Sequence, residues 1–368
     1  MKSVFIPIIA IFFSLYTPLR IKAQRINWKV VETQNTVQGR SECGLAALGG
    51  KLYLIGGDGP VMPVQEFDIK TGEWKEKAMA PVKLHHFQAV THGSRIYVLD
   101  AFYEGNFPNQ IPAPNIYVYN TITDKWGILK GLSPERRRAG AGATTYNGKL
   151  YLVNGISHGH SSGTNNFFDE FDPKTDTWTS LPNTPHIRDH SLAVVVKDKL
   201  YAIGGRNTSF KDPSGKTNFF SQVILDVDCF DFKTQTWSTL KARLPQGTGG
   251  GTAVVIHGII YYIGGERATD TKPNSPQKDV YFLDPERSNS WRKGPSLNFA
   301  RNGVGGAVIG DNIYIAGGAG GGMPWTGNIP PPKPGDTTKR SISSLPSGPQ
   351  PGNPGPDPGI ALESLEVK

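Results

Sequence analysis

The sequence has few of the residues that mark common enzyme and metal-binding motifs. Its 368 residues include only two cysteines, Cys43 and Cys229, and four methionines. It has no Cys-x-x-Cys pair, no Walker-type phosphate loop and no Ser-His-Asp signature, which argues against a cysteine-ligated zinc domain, P-loop nucleotide binding and a recognisable hydrolase triad. Two cysteines allow at most one disulfide, and the sequence alone leaves open whether it forms.

Long hydrophobic runs are missing after the first residues, so we expect no later segment to cross a bilayer. The start of the chain is different: Lys2 supplies a positive charge, Val4–Leu15 is an apolar run interrupted by Pro7, and Ala23 is a small residue suited to a cleavage site. This pattern predicts a secretory signal peptide over residues 1–23, with an uncleaved anchor as the alternative. We therefore expect a mature chain of residues 24–368 that is secreted or periplasmic.

Long runs of one charge are also missing. The formal net charge of +8 falls to +5 when Lys2, Arg20 and Lys22 leave with the predicted signal peptide. The one conspicuous basic run is Arg136-Arg137-Arg138. Nucleic-acid-binding proteins usually carry a longer basic stripe, so we expect no nucleic acid among the partners.

The chain is instead rich in glycine, with 44 residues, and in a repeated pattern. An apolar-Tyr-apolar run that ends in a glycine pair, or in a relic of one, occurs six times. The copies are KLYLIGG (51–57), RIYVLDA (95–101), KLYLVNG (149–155), KLYAIGG (199–205), IIYYIGG (259–265) and NIYIAGG (312–318). Glycine pairs end strands because glycine adopts positive φ angles that other residues avoid.

Each copy belongs to a period of four short strands. A tight-turn signal and another apolar run lie upstream, and a third run ending in Asp or Asn lies downstream. A tryptophan follows six or seven residues later, at Trp74, Trp126, Trp178, Trp237 and Trp291. One four-stranded sheet cannot bury both faces, whereas radial stacking of six such sheets can. The sequence therefore predicts an all-β, six-bladed β-propeller with tryptophans packed between blades, each costing about 3–5 kcal/mol when replaced with alanine.

The repeats resemble kelch repeats. The shared features are the glycine pair, the tyrosine before it, the FDPKTDTW element (171–178) and an arginine upstream, and they cover residues 25–318 and the C-terminal tail. The resemblance implies one kelch propeller domain over residues 24–368. Two kelch enzymes set precedents: galactose oxidase, a copper enzyme with two His and two Tyr ligands, and secreted six-bladed sialic-acid mutarotases. This chain lacks any Tyr-His pair, which argues against the copper enzyme.

The two ends of the chain are predicted to complete the last blade together. Residues 361–368 have the pattern of a third strand, with 365–367 placed where 65–67 stand in the first repeat. The missing fourth strand is supplied by INWKVV (26–31), which closes the ring. Between the second and third strands lies a Pro/Gly-rich insertion, residues 319–359. The same geometry places the two cysteines across the ring, so we expect two free, buried thiols.

Residues at the start of each innermost strand are expected to surround the mouth of the central channel. The position thirteen residues before each repeat tyrosine holds Arg40, Leu84, Arg138, Arg188, Thr248 and Arg301. Four arginines there can grip acidic groups through paired hydrogen bonds, or each can be architectural and bond neighbouring carbonyls. The loops that vary in length open on the same face, where binding loops are expected.

The histidines divide between the two faces. His85, His86 and His190 are expected at the mouth, whereas His92 and His257 lie in hairpin turns of the opposite face. His158 and His160 lie in the loop GISHGHSSG, which we interpret as a flexible polar loop because a His-x-His pair needs further ligands to hold a metal. We expect no metal and no cofactor.

Two functional hypotheses follow. The first is a monomeric, secreted binding protein that presents its arginine-bearing, loop-rich mouth to a glycan or a protein, without catalysis. Its expected ligand-binding residues are Arg40, Glu42, His86, Arg138, Arg188, His190 and Arg301. The second is a carbohydrate-active enzyme similar to sialic-acid mutarotases, ahead of a copper oxidase, with Glu42, Arg40, Arg188, His190 and Glu266 as its acidic and basic residues.

Overall fold

The computed structural model describes residues 27–35, 37–214, 218–320 and 360–367. These residues form six four-stranded antiparallel sheets arranged around a central axis, which confirms the predicted six-bladed β-propeller. The expected signal peptide lies outside the described residues, as does most of the expected insertion (321–359). No helix within the described ranges is long and apolar enough to span a bilayer.

The strands follow one another in short, regular elements. In chain order they are β1 (Lys29–Val30), β2 (Gly44–Leu48), β3 (Lys51–Ile55), β4 (Pro63–Asp68), β5 (Glu73–Met79), β6 (Val90–His92), β7 (Arg95–Val98), β8 (Phe102–Glu104), β9 (Ile111–Pro112), β10 (Asn115–Asn120), β11 (Lys125–Lys130), β12 (Gly142–Tyr146), β13 (Lys149–His158), β14 (Ser162–Asp172), β15 (Thr177–Leu181), β16 (Leu192–Val196), β17 (Lys199–Ile203), β18 (Asp228–Asp231), β19 (Thr236–Thr239), β20 (Thr252–Ile256), β21 (Ile259–Ile263), β22 (Glu266–Arg267), β23 (Ser275–Pro276), β24 (Val280–Leu283), β25 (Arg292–Lys293), β26 (Asn302–Ile309), β27 (Asn312–Ala319) and β28 (Glu363–Glu366). Two short 3₁₀ turns occupy Pro134–Arg136 and Phe219–Ser221.

In blades one to five the strands follow the chain from the axis outwards, and blade six takes its outermost strand from the start of the chain. Blades one to five are β2-β3-β4-β5, β6-β7-β10-β11, β12-β13-β14-β15, β16-β17-β18-β19 and β20-β21-β24-β25, and blade six is β26-β27-β28-β1. The innermost strands contact one another in order, and β26 contacts β2 to complete the circle. Two-stranded ribbons, β8-β9 and β22-β23, extend the loops of blades two and five. The buried clusters combine residues of adjacent blades, so the core lies between the sheets.

The glycine pairs end the second strands for a steric reason. Gly56 and Gly57 have φ angles of 64° and 134°, and a Cβ built on Gly56 would lie 2.2 Å from the carbonyl oxygen of Leu84 in the next blade. A side chain at Gly56 would therefore push neighbouring blades apart. We call the face on which these pairs lie the loop face.

The ring is closed as predicted, by the N-terminal strand in the last blade. Lys29 pairs with Ser364 and Val30 with Glu363. The predicted register of β28 was wrong by two residues: Tyr314 lies opposite Ser364, as Tyr53 lies opposite Glu66 in blade one. Because side chains alternate with a period of two, the slip leaves each residue on its predicted face.

Four of the repeat tryptophans link their blade to the one before it by a hydrogen bond, whereas the indole nitrogens of Trp74 and Trp126 have no such partner among the described residues. The indole Nε1 of Trp178 donates to the carbonyl of Lys130, and that of Trp28 donates to Pro295, at 3.1 and 2.9 Å. Trp237 and Trp291 make the same bond to Pro182 and Ala242. Extending the register of β1 and β28 places Trp28 opposite Leu365, in the position of the repeat tryptophan of blade six.

Burial of the tryptophans is less uniform than expected. Trp74 and Trp291 are buried, whereas the other three predicted members, Trp126, Trp178 and Trp237, are half-buried. The outer strand lies at the propeller rim, where part of each of these three side chains stays in contact with solvent. The predicted cost of 3–5 kcal/mol on replacement with alanine therefore applies to the buried members only.

Both cysteines are free and buried, as predicted. Cys43 immediately precedes β2 of blade one, and Cys229 lies in β18 of blade four. Burial raises the pKa of both thiols to about 11. They therefore stay in the unreactive thiol form at neutral pH.

Candidate functional site

Six equivalent residues with left-handed backbone form a ring at the loop-face end of the channel. Each stands two positions after the residue at the start of its innermost strand, and their φ angles lie between 51° and 64°. The members of this inner ring are Glu42, His86, Gly140, His190, Gly250 and Gly303. Backbone hydrogen bonds run from blade to blade along it: Gly140 N donates to His86 O, and Gly303 N donates to Gly250 O, both at 2.7 Å.

The inner ring concentrates side chains on part of the channel. Three of its members are glycine, the residue that adopts positive φ without strain. The other three, Glu42, His86 and His190, hold the same conformation at a cost on the order of 1 kcal/mol each. Non-glycine residues that hold this conformation despite its cost are often found together at functional sites. The structure thus brings together three of the seven residues that the sequence predicted to bind a ligand.

The four predicted arginines lie inside the blades and not on the channel wall. Arg40, Arg138, Arg188 and Arg301 are at most 1% exposed. Arg40 donates to the carbonyls of Gly56 and Pro63 and to the side chain of Gln65. The other three form ion pairs of 2.6–2.9 Å with the acidic residue at the position equivalent to Gln65, namely Asp169, Asp228 and Glu363.

These contacts support the architectural alternative for the four arginines. Each guanidinium joins the end of the second strand to the third strand of its own blade. Blade five has Thr248 at this position, where its hydroxyl bonds to the carbonyl of Gly264 and to the hydroxyl of Tyr262. The buried arginines are therefore left out of the ligand-binding set proposed below.

A second set of polar residues follows the glycine pairs. Arg206 comes directly after Gly204-Gly205, and Glu266 directly after Gly264-Gly265. Arg206 Nη1 lies 2.8 Å from Glu266 Oε1, and both side chains are buried. The Arg206 guanidinium also lies over the ring of Phe220, 4.8 Å from its centre. Arg206 was not among the residues predicted from the sequence. It directly follows a glycine pair, as Glu266 does, and this shared position is the signal that points to it.

A loop histidine completes a cluster at the mouth. The hairpin between β13 and β14 carries His160 over the inner ring, and the backbone N–H of His160 donates to Pro108 O of blade two. The rings of His86, His160 and His190 lie 4.9–5.1 Å apart, centre to centre. The predicted flexible loop thus places a buried side chain in the site, whereas His158 stays exposed.

Most of these residues line one pocket on the loop face, and His190 lines a smaller space below it. Its volume is about 270 Å³, and its lining residues are Ser41, Glu42, Asp58, His86, Phe107, Gln110, His160, Arg206, Phe220 and Glu266. A smaller space of about 40 Å³ continues below it along the inner ring. No tyrosine lines either space among the described residues, so the ligand set of galactose oxidase is not assembled there.

Burial controls the charges in this pocket. Desolvation, and then the nearby Glu266 carboxylate, raises the pKa of Glu42 to about 8. Burial lowers the pKa of His86 well below its usual range, with the neighbouring His85 adding to the effect. Burial also lowers the pKa values of His160 and His190. The three imidazoles are therefore neutral at physiological pH.

Asp100, which lies next to the site, should make the stability of the protein depend on pH. Its Oδ2 accepts a hydrogen bond from Ala141 N at 3.0 Å, Oδ1 has no partner among the described residues, and burial raises its pKa from 3.8 to about 7. Between pH 3.8 and about pH 7 the Asp100 carboxyl is protonated in the folded state and ionised in the unfolded state. The free energy of unfolding therefore falls as the pH rises through this range.

We expect Asp100→Asn to raise the free energy of unfolding by about 2 kcal/mol at pH 8 and by much less at pH 4. Urea titrations of both proteins at the two pH values measure the difference. An equal gain at both would show that the carboxyl does not titrate as described.

The chain is similar to kelch proteins along most of its length. It matches the KLHDC2/KLHL20/DRC7 Kelch-repeats domain over residues 18–205 and 171–318. Kelch-like protein terF of Aspergillus terreus (strain NIH 2624 / FGSC A1156) is 28% identical over 292 residues, 76% of this chain and 61% of that protein. Alpha-scruin of Limulus polyphemus is 26% identical over 210 residues, 56% of this chain and 21% of that protein. Kelch-like protein 25 of Xenopus tropicalis is 25% identical over 280 residues, 74% and 42% of the two chains.

The chain thus spans 61% or less of the length of these relatives. Among solved structures, the structure of YjhT matches with a TM-score of 0.66, covering 79% of this chain and 93% of that one at 18% identity. At this identity the match shows a shared fold. Propellers host many activities, so the function must be argued from the pocket.

Proposed function

Because the chain belongs to the kelch-repeat family of β-propellers, we propose that it is a binding protein that holds one sugar unit of a glycan in the loop-face pocket. The observation that carries this proposal is the buried Arg206–Glu266 pair at the pocket wall. A buried ion pair at the edge of a cavity presents oriented donors and acceptors, which give specificity for a polar ligand. We further propose that the protein acts outside the cytoplasm, on the strength of the predicted signal peptide.

The size and lining of the pocket favour a sugar over a protein surface. Its volume of about 270 Å³ is just below the usual range of ligand pockets, roughly 300–1,000 Å³, so it suits a small molecule or one unit of a longer chain. Phe107, 65% exposed, offers an aromatic face at the rim, while Gln110, Asp58 and Glu266 offer hydrogen-bonding groups. Protein interfaces instead bury roughly 800 Å² per partner around an apolar centre.

The alternative, a mutarotase-like isomerase, receives less support from the geometry. Of its five expected residues, Glu42, His190 and Glu266 line the pocket or the channel below it. Arg40 and Arg188 are buried within blades one and four and cannot reach a ligand. Binding is therefore the function that the site supports best.

Saturation-transfer NMR of metal-free protein with neutral hexoses, uronic acids and sialic acid tests the proposal, followed by calorimetry of the strongest ligand. We expect Glu266→Gln to weaken binding by about 10- to 100-fold, because a hydrogen bond to a charged group contributes about 1.5–3 kcal/mol. The control Glu286→Gln, at the opposite face, should bind as the wild type does. Lack of binding to every sugar, or normal binding by a folded Glu266→Gln protein, would contradict the proposal.

A further inference from the structure

The three pocket histidines are oriented by separate partners. His190 Nδ1 lies 2.6 Å from Asp189 Oδ1, and His160 Nδ1 lies 3.1 Å from Gln110 Oε1. His86 Nδ1 lies 2.7 Å from His85 Nδ1. With each Nδ1 engaged, the three Nε2 atoms remain for another role. His160 and His190 therefore have the usual arrangement of a metal-ligating histidine, which is held by an oxygen at one nitrogen and ligates the metal through the other.

The distances between the remaining atoms match those between ligands of one metal ion. Nitrogen and oxygen ligands lie about 2.0–2.2 Å from Zn²⁺, so tetrahedral neighbours lie about 3.3 Å apart. The Nε2 atoms of His160 and His190 are 3.1 Å apart, and His86 Nε2 is 3.5 Å from Glu42 Oε2. One candidate ligand atom from each histidine can be chosen so that all three lie within 4.8 Å of one another.

We propose that His86, His160 and His190, with the adjacent carboxylate of Glu42, form a site for one divalent first-row transition metal of the zinc type. The inference goes beyond ligand binding and stands whether or not the pocket holds a sugar. Imidazole nitrogen suits Zn²⁺, Cu²⁺, Ni²⁺ and Fe²⁺, whereas Mg²⁺ and Ca²⁺ prefer oxygen ligands.

The charge around the cluster favours a cation. Three carboxylates besides Glu42, those of Asp58, Asp189 and Glu266, lie in or beside the pocket and face one buried guanidinium, that of Arg206. Asp189 is further fixed by Thr164 Oγ1 and by the backbone N–H of Thr208. A divalent ion bound to neutral histidines would offset this negative excess.

The proposed metal site is open towards the pocket, so a ligand in the pocket could contact the ion. Glu42, His86 and His160 line the pocket of about 270 Å³, so a bound ion would face the pocket and not a closed core. With three histidines and Glu42 the ion would have four protein ligands, and a ligand in the pocket would replace Glu42 or add as a fifth, an expansion of coordination that zinc permits. The structure thus assigns a metal that a pocket ligand can reach.

The first test uses wild-type protein. After dialysis against EDTA, calorimetric titration with ZnCl₂ should show that one ion binds per chain. We expect a dissociation constant below about 1 µM, the order of magnitude for a site with three histidine ligands. Replacement by Co²⁺ should give the visible absorption bands of four-coordinate cobalt. Absence of zinc uptake at micromolar concentrations, or uptake of Mg²⁺ in preference to Zn²⁺, would overturn the proposal without any variant.

Variants then locate the ion. We expect His160→Gln to weaken zinc binding at least about 100-fold, and Asp189→Asn to weaken it by about 10- to 100-fold through loss of orientation. The matched control is His158→Gln, because His158 lies in the same hairpin but is exposed and outside the cluster. Near-ultraviolet circular dichroism verifies folding of each variant. Zinc binding that survives His160→Gln, or that His158→Gln abolishes, would place the ion elsewhere and overturn the assignment.

Discussion

Arg138→Ala should lower the free energy of unfolding by about 3–5 kcal/mol. The Arg138 side chain is 1% exposed, donates to the carbonyls of Asn154 and Leu152, and lies 2.8 Å from Asp169 Oδ2. Removing it leaves the buried carbonyls without this donor and the Asp169 carboxylate with only Arg136 Nε and Ser180 Oγ, which both bond to its other oxygen, Oδ1. Because the carboxylate cannot move into water without opening blade three, the loss appears in stability.

Urea unfolding followed by tryptophan fluorescence measures this loss, and the control is Arg137→Ala. Arg137 is the next residue along the chain, but it is half-buried and donates one bond, to Leu132 O, so its removal should cost less than about 1 kcal/mol. Zinc and sugar affinities of folded Arg138→Ala protein should equal those of the wild type. An Arg138→Ala protein of normal stability that had lost ligand affinity would show that this arginine takes part in ligand binding.

Trp28→Ala should cost a similar amount, about 3–5 kcal/mol. Trp28 is 4% exposed, packs among buried residues of blades five and six, and bonds to Pro295 O across the boundary between these blades. It precedes the two-residue strand β1, which has little hydrogen bonding of its own to stay in place. The indole therefore supplies much of the energy that closes the ring.

The comparison is with Trp178→Ala, measured by the same unfolding titration. Trp178 occupies the same repeat position and makes the same bond to the preceding blade. Its side chain is half-buried, however, and it lies in blade three, away from the point where the two ends of the chain close the ring. We expect its replacement to cost roughly half as much, since less apolar area leaves the core. Equal losses from the two variants would mean that closure adds nothing to the role of an ordinary blade tryptophan.

The fold was predictable because its information is local and repeated six times. A glycine pair, a tyrosine and a tryptophan at fixed spacing define each blade, so a degenerate copy such as RIYVLDA is placed by its neighbours. The exact register of β28 was not predictable. The alternation of apolar and polar side chains shows which residues share a face of the strand, but a shift by two residues leaves that pattern unchanged.

The site was only partly predictable, since spacing locates a residue without giving the direction of its side chain. It placed Arg188 and His190 at the same end of the innermost strand. The structure turns Arg188 into its blade and His190 into the channel, because the left-handed backbone at His190 redirects its side chain. His160 was beyond prediction: its position depends on the hairpin of β13 and β14 and on Pro108 of another blade.

The inner ring has a consequence for how such a channel changes during evolution or design. Every position already has left-handed backbone, so a new side chain there needs no change of main-chain path. A Cβ added at Gly140 or Gly250 would find its nearest neighbour at 3.3 or 3.4 Å, whereas one at Gly303 would lie 2.4 Å from Glu42 N. Asparagine tolerates this conformation best after glycine. Two of the six positions could therefore take a new side chain at the cost of left-handed backbone strain and a tight contact, whereas the third, Gly303, has no room for one.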